Sequence, residues 1–109
     1  MIRIPDDHVQ HAFDLLKSQD HATARAAYEF AEKQLKVIIA KATLAANGKT
    51  AAEREATALA SPEYERALSD FKLIAGAYYR ERDRRDAASA IIDAWRTQQS
   101  DMRALGRVG

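Results

Sequence analysis

Between residues 62 and 105 the chain offers a single helix breaker, Gly76. Pro62 suits the first helical position, where its missing N–H costs nothing. Ser61 before it supplies a cap, and Glu63 and Glu65 suit the positive end of the helix dipole. The span predicts one helix of roughly 40 residues or more, about 60 Å long at a rise of about 1.5 Å per residue. In a chain of 109 residues a helix of that length cannot bury its apolar side in a globular core of its own, so the pattern calls for a partner. Its positions form a near-heptad seam: Tyr64, Leu68, Phe71, Ala75 and Tyr78, then Arg82, Arg85, Ser89 and Ile92, then Trp95 or Gln99, and Met102. The polar centre of that seam either specifies register or marks an exposed stretch.

The preceding residues read as helix too. Pro5, Asp6 and Asp7 open a short amphipathic helix over residues 5–18, with Val9, Ala12, Phe13 and Leu16 on one side. Asp20 is placed to cap a second helix over 20–46, whose apolar stripe includes Ala24, Tyr28, Ala31, Leu35, Ile38 and Ala42. Glu29–Lys33 and Glu32–Lys36 stand at i,i+4 spacing and predict two favourable pairs. Asn47-Gly48, both tolerant of the left-handed conformation, close this helix, and Thr50-Ala51-Ala52-Glu53 is a capping box for the next. Residues 51–60 are then a short helix or a bent segment. The expectation is a single all-α domain over 1–109. In it the long helices 20–46 and 62–105 fold back antiparallel around a bend at 47–61, as a coiled-coil-like helical hairpin with an added N-terminal helix.

Composition removes several function classes. Ala accounts for 23 residues, so large side chains able to fill a core are few, and the β-branched and turn residues of a sheet protein are missing. With no Cys there is no disulfide scaffold, no Cys-based zinc finger and no thiol nucleophile, which fits a reducing cytoplasm. The longest apolar run, residues 37–40 between Lys36 and Lys41, is far short of a membrane span, and residues 1–7 lack the pattern of a signal peptide. These features predict a cytoplasmic protein without a membrane partner. A net charge of +1 carries no overall basic signature. The charge is unevenly spread: residues 1–20 are acidic, whereas Arg96, Arg103 and Arg107 oppose only Asp101 near the C-terminus.

No constellation points to catalysis or a cofactor. His8 and His11 share a helix face, but no third ligand accompanies them and they read as solvated. Gly48-Lys49-Thr50 lacks the upstream glycine and strand of a phosphate loop. The run RERDRRD over 80–86 is either a salt-bridged solvated face or, through Arg82 and Arg85, a contact for an acidic partner or phosphate. Tyr79-Arg80 and Trp95-Arg96 suit base stacking in sequence, but the favoured reading is that these aromatics fill a helix–helix seam otherwise made of Ala. Lys41, Lys49, Arg96, Arg103 and Arg107 stand outside the Glu–Lys pairs expected for Lys33 and Lys36.

The order of signals carries a family resemblance over residues 20–107. A long helix ends near Gly48-Lys49-Thr50, Ala52-Glu53 follows, Ser61-Pro62-Glu63-Tyr64 recaps, and a long helix closes on Gln99-Ser100-Asp101-Met102-Arg103-Ala104-Leu105-Gly106. This arrangement resembles the small helical-hairpin proteins of tailed phages, specifically the UvsY-like recombination mediators. The resemblance implies a non-enzymatic homo-oligomer that binds single-stranded DNA and helps exchange a single-strand binding protein for a recombinase. It implies Lys36, Lys41 and Lys49 as DNA contacts and Ile91, Ile92, Trp95, Met102 and Leu105 as the assembly face. Arg96 and Arg103 join the DNA candidates on their charge. The competing expectation is a protein-only helical module, such as a phage adaptor or an anti-CRISPR-like inhibitor of a host protein.

Overall fold

The computed structural model describes residues 3–108, with side chains as far as residue 106, so the side chain of Arg107 lies outside the described part. Four helices account for nearly all of it: α1 Asp6–Lys17, α2 Asp20–Ala45, α3 Ala51–Leu59 and α4 Pro62–Val108. No strand occurs among the described residues. Contacts divide the chain into two compact units, one of Met1–His21 with Arg80–Gly109 and the other of Ala22–Tyr79.

In the first unit α1 packs on the later turns of α4. The Pro5 carbonyl accepts from the N–H groups of His8 and Val9, so the helix starts just after a proline whose ring holds φ, here −61°, and whose ψ of 143° is extended. Asp6 and Asp7 in the first turn and Lys17 in the last complement the dipole. Ala12, Ala88 and Ile92 form the buried cluster, with Phe13, Leu15, Leu16 and Ile91 packed around it. Trp95 meets Phe13 edge-on, centroids 6.1 Å apart and planes at 88°. Two polar ties join the helices. The Ile4 N–H donates to Gln98 Oε1 at 3.3 Å, and Arg85 Nη1 reaches the Leu16 carbonyl at 3.5 Å. That second tie sets a cation at the negative end of α1.

In the unit Ala22–Tyr79, aromatic rings do the work that bulky aliphatics would do elsewhere. Tyr28 of α2 stacks on Tyr78 of α4 at 4.8 Å and 25°, and lies 5.5 Å from Phe71 and 6.0 Å from Tyr79. Hydrogen bonding to Tyr79 first, then to Glu32, holds the Tyr28 hydroxyl protonated far above the usual tyrosine range. Farther along α2, Ala31, Leu35 and Ile38 share a hollow of about 70 Å³ with Ala67, Phe71 and Ile74 of α4. α3 carries the expected capping box, shifted by one residue in its return arm. Thr50 Oγ1 accepts from the Glu53 N–H at 3.1 Å, while Glu53 Oε2 accepts from the N–H of Lys49 at 2.8 Å. Ser61 Oγ accepts from the Tyr64 N–H and donates to the Ala58 carbonyl, capping α4 and tying it to the end of α3.

Three local expectations are corrected. No described residue has a positive φ, so Asn47-Gly48 does not end α2 by a left-handed turn. Gly48 is needed for close approach instead: a Cβ there would lie 3.1 Å from Arg54 Cγ and Glu53 Cβ, and 3.2 Å from Arg54 N. Asp20 is the first residue of α2 rather than the residue before it. The buried side of α4 departs from the seam read from side-chain size, and it broadens at Ala75, Gly76 and Ala77 and again at Ile91 and Gln98. Tyr64, Ala67, Phe71, Ile74 and Tyr78 are covered in one unit, and Glu81, Arg85, Ala88, Ile92, Trp95 and Gln99 in the other. Ala67, Glu81 and Ala88 thus replace Leu68, Arg82 and Ser89, and at the first of these a small side chain allows the closer approach of two helices. Leu68 stays 42% exposed.

Candidate nucleic-acid interface

The second helix carries two opposed faces. Tyr28, Ala31, Leu35, Ile38 and Ala42 point into the unit Ala22–Tyr79. On the far side Phe30, Val37 and Leu44 recur at seven-residue spacing and stay 67%, 49% and 86% exposed. Lys33 and Lys36 are interleaved with them, and Lys41 stands between this face and the inner one, all three exposed. This face of α2 therefore contributes nothing to the core of the unit.

The lysines are less neutralised than their spacing suggests. Glu29 pairs with Arg25 at 3.0 Å, not with Lys33, and the guanidinium supplies the fork of donors that an ammonium lacks. Among the described residues, Lys33, Lys36, Lys41 and Lys49 make no ion pair. Lys49 follows α2 at the bend, where its main-chain N–H is engaged by Glu53 and its side chain is exposed.

Other cations stand unpaired as well: Lys17, Arg66, Lys72 and Arg80 make no ion pair among the described residues. Within 80–86, Arg84 pairs with Glu81 at 2.9 Å, Arg82 lies 4.0 Å from Asp83, and Arg85 is committed to Leu16. Arg96 and Arg103 are exposed on α4 and make no ion pair among the described residues. Of the residues expected in an assembly face, Ile92 is buried, and Ile91 and Trp95 are half-buried against α1. Met102 and Leu105 are exposed, 48% and 67%. His8 and His11 border a hollow of about 190 Å³ floored by Ala12, Ala88 and Ile91. No group of three or more His, Cys, Asp or Glu able to hold a metal occurs among the described residues. No described helix is long and apolar enough to cross a membrane.

A larger hollow, about 490 Å³, opens where the end of α2 meets α3 and the start of α4. Ile38, Ala42, Ala45, Ala46 and Ala58 line it, and Lys41, Thr57, Ser61 and Glu63 supply its polar groups. Nothing in the local sequence announces it, because it arises from the meeting of three short-side-chain surfaces. The outer stripe of α2 was legible in principle as the seven-residue repeat of Phe30, Val37 and Leu44. Compared with known proteins, the chain matches no family model, no curated protein and no solved structure.

Proposed function

We propose that this chain is a non-enzymatic accessory protein of phage or prophage recombination, acting in the cytoplasm and contacting single-stranded DNA through Lys36, Lys41 and Lys49, with Arg96 and Arg103 adding charge. The observation that carries this reading is the row of exposed lysines on α2 without carboxylate partners among the described residues. Unpaired cations release counterions from a phosphate chain, whereas paired ones gain little by exchanging one anion for another. In this reading the unit Ala22–Tyr79 is an antiparallel helical hairpin. Copies assemble through the end of α4, where Met102 and Leu105 are exposed. Linked copies multiply weak sites into useful avidity, and the partners served are a recombinase or a single-strand binding protein.

The test is fluorescence anisotropy with a labelled oligonucleotide at two salt concentrations. Wild type binds at low salt and weakens steeply as salt rises. Replacing Lys36, Lys41 and Lys49 together by Ala lowers affinity at least tenfold for every sequence and flattens the salt slope by about 2. Absence of binding by wild type at low salt would sink the proposal. The exposed Phe30, Val37 and Leu44 favour a second reading, a protein-only interaction module. It predicts no oligonucleotide binding and a stoichiometric complex with a protein.

A further inference from the structure

We infer that the hollow at the junction of α2, α3 and α4 receives one unpaired guanine of the bound strand, an inference that rests on the proposed DNA contact. At about 490 Å³ the space falls within the usual range of small-ligand sites. Its walls are apolar: Ile38, Ala42, Ala45, Ala46 and Ala58 present carbon to whatever enters. A flat ring satisfies such walls through burial of its faces.

The polar rim narrows the choice. Thr57 Oγ1 donates to the Glu53 carbonyl. Ser61 Oγ donates to Ala58 and accepts from Tyr64. Both hydroxyls are committed to the backbone. Lys41 and Glu63 are exposed and make no hydrogen bond or ion pair among the described residues. An occupant that presents an anion to the ammonium and hydrogen-bond donors to the carboxylate, on an apolar body, complements this lining. A nucleotide has this layout: its phosphate answers Lys41, its base lies on the walls, and its edge answers Glu63.

Among the four bases, guanine fits a carboxylate best. Its N1–H and N2–H₂ lie side by side and donate to both oxygens at once, the fork geometry that makes paired charge-assisted bonds strong. Cytosine and adenine offer one amino group each. Thymine offers a single N–H flanked by two carbonyl oxygens that repel the carboxylate. The donating edge of guanine is occupied in a duplex and free in a single strand, so the same pair of side chains selects strandedness and base.

The experiment compares d(TTG)7 with d(TTI)7, d(TTA)7 and d(T)21, using wild type, Glu63→Gln and Lys41→Ala. Inosine keeps N1–H and lacks the amino group. Wild type is expected to bind the guanine strand about tenfold more tightly than oligo-thymidine, with inosine between. Glu63→Gln removes that preference and leaves oligo-thymidine binding unchanged or stronger, because a carboxylate near phosphate has gone. Lys41→Ala weakens all four strands alike. Equal binding of the four strands by wild type overturns the guanine site and leaves the DNA-binding reading standing, as does a preference that survives Glu63→Gln. No binding of any strand overturns both. Circular dichroism of each variant reports helix content directly.

Discussion

At Gly48 the requirement is space rather than conformation, and that distinction has a measurable sign. An added methyl would press on Arg54 Cγ, Glu53 Cβ and the backbone nitrogen of Arg54, and a backbone atom yields less readily than a side-chain tip. Loss of chain freedom in the unfolded state favours Ala by about 0.4–1 kcal/mol, but displacing the first turn of α3 costs more. Gly48→Ala is expected to lower stability by about 1 kcal/mol in urea titrations. Gly106 is the control: a Cβ there meets nothing within 4 Å, and the residue lies in α4. Gly106→Ala should raise stability by a few tenths of a kcal/mol, less than the interior helix value of about 1 kcal/mol because the last turn frays. Tyr28 offers a second residue-scale test. Its folded hydroxyl loses its proton far later than the unfolded one, so its contribution is present below about pH 10 and disappears as pH rises toward the folded value. The urea midpoint should fall more steeply above pH 10 in wild type than in Tyr28→Phe, which keeps the ring stack and removes the titrating group. Equal slopes would show that Tyr28 gains nothing from Tyr79 and Glu32.

Among the helices, start signals were legible and contact positions were less so. Thr50 with Glu53, and Ser61 with Pro62, mark α3 and α4 in the sequence and cap them in the structure. The seam of α4 was harder to read because hydropathy ranks Leu68 above Ala67, whereas close packing prefers Ala. The Lys33 and Lys36 pairs were misjudged for a related reason. Spacing shows which partners are within reach, but Glu29 had two and took Arg25. The junction hollow was beyond sequence reading altogether, since Ile38, Thr57 and Glu63 meet through the packing of three elements. At this scale Ile92→Ala is expected to cost about 2–4 kcal/mol, because Ile92 is 3% exposed in the cluster with Ala12 and Ala88 and its truncation leaves a cavity there. Leu73→Ser, at a side chain 73% exposed, should stay within about 0.5 kcal/mol. Equal losses from the two would contradict the orientation of α4.

For the molecule as a whole, the buried set explains the composition. Val9, Ala12, Ala31, Ala58, Ala88 and Ile92 are its buried apolar residues among those described, and four of these six are alanines. Each such contact removes little apolar area from water, so the margin of stability is thin. Anything that binds the folded state alone then shifts the melting temperature visibly. An oligonucleotide should raise it at low salt and cease to do so as salt increases. A protein-only module would show no such shift at either salt concentration. The all-helical class followed from the absence of breakers and β-formers. The division into Met1–His21 with Arg80–Gly109 and Ala22–Tyr79 did not, because no Gly- or Pro-rich linker marks it.

The edge-on pair of Phe13 and Trp95 leaves the molecule with a natural division of its chromophores. The chain's one indole belongs to the unit built on α1, while Tyr28, Tyr64, Tyr78 and Tyr79 all fall within Ala22–Tyr79. Emission excited near 295 nm therefore follows one half of the fold and near-ultraviolet phenol bands follow the other, with no label attached. In Ile92→Ala the indole signal should melt first; superimposed curves would mean that the halves cooperate as one.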